Sequence, residues 1–586
     1  MKTLASGVTN SKRYLVEGGD MKRDINLPLL ISLPFLIVLI LPIFYLIFGS
    51  IFFSIGGEVF TWETFIKYIT SPKIHILLAN TLIYGIGSAA LGTILGMIYA
   101  WIIVRTDVPG KKILRHIPIL GLTIPLLVKC FAWVALFSPK IGLVNLFFQQ
   151  LFNTASLFNI YGLGGMIFAN GVGGFSLAYL VIEPALNSLD PSLEEASRAT
   201  GSGTIRTLFK VTVPILLPAV FSAFLLLMIM SIENFDYPFV LGYSVGVRTL
   251  ATELYYLVLE RSPPNYGGAA IISTIFLIIT VLIFSLYIWI TRKAYRFVVV
   301  TGKAPRQTVN KLGKWKYVAL AVCILILLFN FGLIFAATIL LSLSSYISLP
   351  GGNITIKFTL NNFAEAIQLP FFDTALINSI TFALASAIIA TLIASVIAYT
   401  TLKSRVGATR LLDYISNIPL AFPGIVYGLA LFWTFLLIPG GHIIYGTIWP
   451  LVICFTIIRL PQSIRIISGN LIEIGNELEE ASHVCGASWG TTFRNITLPL
   501  LKWGLLNSFR YIFVNSLREL GSVIFLVTPE SMVLMVLLLN YYANHALALN
   551  KIAAVALIII AITIIMEVAI PLAQRLSTKR LKSRKE

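Results

Sequence analysis

EEASRATG at residues 194–201 returns as EEASHVCG at 479–486, a shift of 285 positions from Glu195 to Glu480. Each copy sets two carboxylates beside small side chains and closes on a glycine, Gly201 or Gly486. Acids in the first turns of a helix are favoured by its dipole, and Ala and Ser let another surface come close, so the chemistry they offer is polar docking. Two further segments align at the same shift: SIENFDYP carries Glu233 and Asp236, and SLRELGSV carries Arg518 and Glu519. Catalytic and metal chemistry find no such foothold. His75, His116, His442, His483 and His545 show no His-Glu-x-x-His or other ligand spacing. Cys130, Cys323, Cys454 and Cys485 are scattered and outline neither a disulfide framework nor a zinc site. No Gly-x-x-x-x-Gly-Lys-Ser/Thr phosphate loop occurs; VTGKAP has the Gly-Lys without the upstream glycine or the hydroxyl. The chain is expected to carry no catalytic residue, no metal site and no cofactor of its own.

The elements that must hold these residues are apolar. Of 586 residues 57% are hydrophobic and 12% charged, with a mean hydropathy of +0.89, whereas a soluble domain carries about a quarter charged residues. A spanning helix needs roughly 20 apolar residues. About twelve stretches qualify: 27–54, 76–104, 117–138, 160–186, 213–233, 266–291, 316–345, 375–402, 412–438, 444–468, 500–527 and 550–574. They lack the alternation of a membrane barrel strand, so the expected fold class is all-α, a polytopic membrane protein. The first run is too long for a signal-peptide core and reads as a retained span.

The net charge of +18 collects in alternate loops. Lys2, Lys12, Arg13, Lys22 and Arg23 precede the first span; Arg105, Lys111, Lys112 and Arg115 follow the second; eight bases from Arg292 to Lys316 fill the centre without an acid. By the positive-inside rule both termini, this linker and both octapeptides face the cytoplasm. The basic excess is then topological, which argues against nucleic acid as a partner. An ionisable group at bilayer depth costs about 2.5–3.5 kcal/mol on insertion scales. Glu233, Asp236, Arg518 and Glu519 therefore either brace the fold, reach outer water, or line a path near its outer gate. In the last case three acids against one Arg make a net negative lining suited to a cation.

The halves repeat. ANTLIYGIGSAALGTILGMIYAWIIVR from Ala79 reads against INSITFALASAIIATLIASVIAYTTLK from Ile377, pairing Asn80 with Asn378 and Arg105 with Lys403 at a shift of 298 that Pro125 and Pro423 keep. The drop to 285 at the octapeptides places 13 extra residues in the first half, in the stretch from Ser138 to Ile160. The expected organisation is a cytoplasmic segment 1–26, a first six-helix half 27–292, a basic linker 293–315, a second half 316–574 in the same orientation, and a basic tail 575–586. Asp190 and Asn476 are expected to cap short helices of about ten residues, with Pro191 at the first helical position. Gly201 and Gly486 are expected to stop them in the left-handed conformation. A second short helix and a membrane entry at Pro214 or Pro499 follow.

This pattern resembles the cytoplasmic coupling motif of ATP-binding-cassette importer permeases: Glu195-Ala196-Ser197 with Gly201 and Pro214, then Glu480-Ala481-Ser482 with Gly486 and Pro499. Serine stands where the motif has its second alanine. The resemblance implies that each helix inserts into an ATPase subunit, with Glu195 and Glu480 making polar contacts there. It also implies two such ATPases, which bind ATP and Mg, an external substrate-binding protein, surrounding lipid, and residence in a prokaryotic inner membrane. The fused halves, LERSPPNYGGAA from Leu259 and RFVVVTGKAPR from Arg296, are most similar to iron(III) importer permeases, with thiamine, polyamine and phosphonate permeases as near alternatives. A secondary carrier of the major-facilitator type also has six plus six helices, and RTDVPGKK echoes its basic loop; KSRVGATR in the second half lacks the acid. A channel is the other alternative, without a visible filter loop.

Overall fold

The computed structural model describes residues 37–38, 40–46, 61–152, 156–190, 192–294, 309–348, 355–403, 412, 415–545 and 548–583. The segment 1–26, most of the expected first span, Pro191, much of the linker and the end of the tail lie outside the described residues. Among those described, eight helices are long and apolar enough to cross a bilayer: Pro72–Arg105, Leu163–Ser188, Leu208–Glu233, Tyr266–Thr291, Trp315–Ser342, Phe372–Lys403, Trp449–Glu473 and Leu549–Gln574. Two bent pairs bring the number to ten: Lys111–Gly121 with Leu126–Phe137 at 101°, and Ile415–Ala421 with Gly424–Leu437 at 113°. The bends fall at Pro125 and Pro423, each heading the second helix of its pair. Proline lacks an N–H and pushes the residue before it out of the α region, so two stretches expected as straight spans are broken at matched places. The stretch at 500–527 also departs from expectation: its helix, Leu498–Ser516, stops early, and residues 517–526 turn while staying largely buried.

Both halves use one packing plan. Pro72–Arg105 lies against Leu163–Ser188 and Val213–Glu233, and Phe372–Lys403 lies likewise against Trp449–Glu473 and Leu498–Ser516. Membrane helices associate through small residues that let backbones approach. At Gly96 the approach is close enough that a Cβ would stand 2.6 Å from the Ala178 Cβ and 2.9 Å from the Tyr179 nitrogen. The second half meets the same need with alanines: Ala383, Ala387, Ala390 and Ala394 are fully buried.

The opening span of each half crosses to the other. Leu333–Ser342 packs on Leu126–Phe137 of the first half, and the Tyr427 hydroxyl of the second half donates to the Val38 carbonyl at 3.3 Å. Asn330 reaches across as well, donating to the Val172 carbonyl at 2.9 Å and accepting from the Ser176 hydroxyl at 3.2 Å. Phe329 stacks on Trp133 and Phe137 with ring centroids 6.3 and 6.5 Å away. The extra residues of the first half include a ten-residue helix, Leu143–Phe152, where the second half has the five-residue Gly441–Tyr445. Asn145 secures it, donating to the carbonyls of Phe137, Ser138 and Phe158.

Candidate functional site

The octapeptides form two short helices, Ser192–Ala199 and Asn476–Val484. The Ser192 N–H donates to the Asp190 carboxylate at 2.9 Å, which holds that carboxyl below the usual carboxylate range. Asn476 behaves otherwise than expected. It is the first helical residue, Gly475 takes the cap position, and its side-chain oxygen accepts from the Lys403 ammonium at 2.6 Å. Both helices end alike: Gly201 and Gly486 have φ of +86° and +84°. Ser202 N–H returns to the Ser197 carbonyl at 3.2 Å and Ala487 N–H to that of Ser482 at 3.1 Å. These six-to-one bonds satisfy carbonyls that the helix end leaves open.

Beyond each glycine a one-turn helix, Thr204–Thr207 or Trp489–Thr492, runs into a π-turn, Leu208–Thr212 or Phe493–Thr497, and then into the fifth span at Val213-Pro214 or Leu498-Pro499. The serines of the motif tie helix to turn, Ser197 to Thr207 at 3.0 Å and Ser482 to Thr492 at 2.9 Å between hydroxyls. The second alanine of the motif is thus replaced by a residue that makes a bond.

Exposure divides the paired acids. Glu195, Ala196, Glu480 and Ala481 are exposed, with Leu193 and Leu478 beside them. Glu194 and Glu479 are 3% and 9% exposed and point inward. Glu194 accepts from Arg105 Nε at 3.1 Å and from the Thr212 hydroxyl at 3.0 Å. Glu479 pairs with Lys403 Nζ at 3.5 Å and accepts from the Thr497 hydroxyl at 2.7 Å. Removing one partner of a buried pair leaves an uncompensated charge and costs about 3–5 kcal/mol. In the first half the network continues: Arg198 pairs with Glu194 at 3.7 Å and donates to the Asn310 side chain. Asn310 N–H donates to the Arg105 carbonyl at 2.9 Å, and Leu312 N–H to Asp107 at 2.9 Å. Arg105 and Lys403 are paired by the repeat in sequence, whereas Glu194 and Glu479 had no role in it beyond making each octapeptide acidic. The signal was there, since Glu194, Thr212, Glu479 and Thr497 keep the shift of 285.

The second candidate group lies where the halves meet. The Val213–Glu233 helix ends at Glu233, itself half-buried, and residues 234–242 remain buried, Asp236 at 7% exposure. Gly521 lies against Phe235, a Cβ there standing 3.6 Å from that of Phe235. Glu233 is within electrostatic reach of Arg459 and Glu519, and Asp236 of Glu519 and Arg518. Glu519 pairs with Arg459 at 3.1 Å and accepts from the Ser522 hydroxyl at 2.7 Å. Arg518 donates to the Ile124 carbonyl at 3.3 Å and has Lys129 and Glu567 within electrostatic reach; Arg510 pairs with Glu567 at 3.4 Å. Glu233 Oε1 and Asp236 Oδ1 have no hydrogen-bond partner among the described residues. The expected net negative lining is corrected here. Lys129, Arg459 and Arg510 join Arg518 against Glu233, Asp236, Glu519 and Glu567, so the formal charges balance. Lys129 and Arg459 lie on other helices, where alignment of the fifth spans does not register them, and Arg510 lies on the second fifth span itself, opposite Leu225 at the shift of 285. Among the described residues no three His, Cys, Asp or Glu side chains converge as a metal-ligand set.

Comparison with known proteins agrees with this duplicated arrangement. The family model described as "Binding-protein-dependent transport system inner membrane component" matches twice, at residues 92–296 and 390–583. The chain is 28% identical over 505 residues to the ferric transport system permease protein FbpB of Actinobacillus pleuropneumoniae, covering 84% of this chain and 70% of that one. It is also 28% identical over 517 residues to the putative ferric transport system permease protein FbpB 1 of Haemophilus influenzae, covering 85% and 78%. A solved bacterial ABC transporter involved in alginate import matches 47% of this chain and 97% of that chain at 19% identity, with a TM-score of 0.39. Two copies of one helical plan, each with its own short helix between the fourth and fifth spans, make this chain a multi-pass member of the binding-protein-dependent transport system inner membrane component family.

Proposed function

We propose that the chain is the membrane subunit of an ATP-driven importer that passes iron(III) from an external binding protein to the cytoplasm. One observation carries the ATP-driven part of this reading: the two short helices present Glu195-Ala196 and Glu480-Ala481 outward at matched positions, with their inward acids already bonded. Two outward faces in one chain suit one copy of it with two ATPase subunits. Both termini and both helices then lie on the cytoplasmic side, and hydrolysis belongs to the ATPases. The ferric cargo is supported by the names of the two relatives. Glu233, Asp236, Arg518 and Glu519, with Lys129 and Arg459, line the path at its gate, where balanced charges form pairs that can exchange partners as the halves move apart.

The test is reconstitution in vesicles with the ATPase and the binding protein. Uptake of labelled ferric iron that needs ATP and the binding protein is the expected result; uptake by this chain alone without ATP would overturn it. Uptake of thiamine, a polyamine or a phosphonate in place of iron would overturn the cargo alone. Glu195→Lys with Glu480→Lys should release the ATPase subunits from the purified complex, and their retention at full stoichiometry with unchanged uptake would sink the docking role. Glu233→Gln with Asp236→Asn should lower uptake while ATPase stimulation by the loaded binding protein persists, and undiminished uptake in folded protein would remove them from the path.

A further inference from the structure

We propose that Glu194 and Glu479 are force-transmitting positioning residues, one per half, each fastening a docking helix to two membrane helices at once. The proposal rests on reading those helices as ATPase-docking elements. In each half a single inward carboxylate meets a base and a hydroxyl from two different elements. One is the base at the end of the Pro72–Arg105 or Phe372–Lys403 helix; the other is the hydroxyl that ends the π-turn before the fifth span, Thr212 or Thr497. The chain that leaves each docking helix is a poor lever. The first helix leaves through a single left-handed glycine, Gly201, and the second through Gly486, residues with the greatest conformational freedom. The Ser197–Thr207 and Ser482–Thr492 contacts carry a push on the exposed Glu195-Ala196 or Glu480-Ala481 face only as far as the following one-turn helix, and the side-chain joint one residue earlier carries it to the membrane helices.

Burial makes the joint stiff. The Arg105–Glu194 bond is charge-assisted, a kind stronger than neutral hydrogen bonds, and with the two residues at 1% and 3% exposure water does not compete for it. The second joint uses a lysine for the arginine and adds the Asn476 side chain as a further acceptor for Lys403. The acid and the threonine are unchanged between the two halves, while the base tolerates exchange of one cation for another.

The experiment measures, for the full chain assembled with its ATPase and binding protein, three quantities: ATPase subunits retained, ATP hydrolysed, and cargo taken up. Glu194→Gln combined with Glu479→Gln keeps side-chain shape and the exposed docking face. It should keep the ATPase stoichiometry and lower uptake per ATP hydrolysed about tenfold, the scale of a typical coupling energy. Arg105→Gln should lower that ratio, and Arg105→Lys should restore it, because the second half already works with lysine. A ratio within about twofold of the wild type in the double glutamine variant overturns the proposal. So does loss of the ATPase from that variant, which would place the inward acids on the docking surface. If the double glutamine variant is not recovered folded, Thr212→Val with Thr497→Val removes one donor from each joint and is judged by the same ratio. Failure of the docking reading itself looks different: the unaltered chain would then not retain an ATPase.

Discussion

At the scale of single residues, adjacent glutamates in each octapeptide have opposite exposure, one buried and bonded and the other facing out. Helical residues one apart point about 100° away from each other, so when one carboxylate faces the membrane helices its neighbour is free to face outward. The closing glycines make a sharper case. A Cβ on Gly201 or Gly486 would meet nothing within 4 Å, yet both hold φ near +85°. Their requirement is for backbone conformation and not for space. Gly201→Val should therefore destabilise the purified protein by about 1–2 kcal/mol, and Gly201→Asn, which enters the left-handed region more readily, should cost less. Thermal unfolding in detergent ranks the two; equal melting temperatures would show that the turn has another way to close.

At the scale of elements, the duplicated plan is kept by different means in the two halves. The close crossing of Pro72–Arg105 with Leu163–Ser188 depends on Gly96, where the added methyl group of Gly96→Ala meets Ala178 and the Tyr179 backbone. Overpacking of this kind costs about 1–3 kcal/mol. Gly469, inside Trp449–Glu473, has nothing within 4 Å of a built Cβ, so Gly469→Ala should gain up to about 1 kcal/mol from helix propensity alone. Opposite shifts in melting temperature are expected from two substitutions that are chemically identical. A matching loss at both sites would mean that glycine flexibility, and not close approach, is what the helices need.

At the scale of the whole molecule, the halves are interlocked instead of placed side by side. The opening span of each packs on the other, Asn330 bonds into the first half, and the linker at Asn310 lies against the Arg105 end of the second span and the Arg198 side chain of the Ser192–Ala199 helix. Cleavage at a protease site inserted in the linker should leave the two halves eluting together in detergent. Asn330→Leu removes a second bond from the Val172 carbonyl and the acceptor of the Ser176 hydroxyl, at about 0.5–1.5 kcal/mol each, and should make the cleaved halves separate more readily in a denaturant series; unchanged cohesion would assign the contact to Phe329 and its aromatic partners. Native mass measurement should find one copy of this chain with two ATPase subunits, and a mass requiring two copies would contradict the one-chain assembly.

Composition, the periodic apolar stretches, the placement of basic loops and the recurrence at shifts of 298 and 285 were enough, from the sequence alone, to define an all-α polytopic chain with two like halves and a short glycine-stopped helix in each. These properties are local: a run of apolar residues, a cap, a glycine or a proline acts through neighbours a few positions away, and so can be read along the chain. The tertiary structure decided what distance in sequence conceals. It turned two apolar stretches into bent pairs at Pro125 and Pro423, and it ended the eleventh stretch at Ser516. It separated Glu194 from Glu195 by joining the former to Arg105, 89 positions away. It also brought Lys129 and Arg459, from two other helices, to the charges at the end of the fifth spans, so that bases there match acids that the aligned segments alone leave in excess. Charge balance in a buried cluster depends on every helix that enters it, and the order of helices around an axis is set by packing of small residues and crossed-over spans, which no single stretch of sequence records.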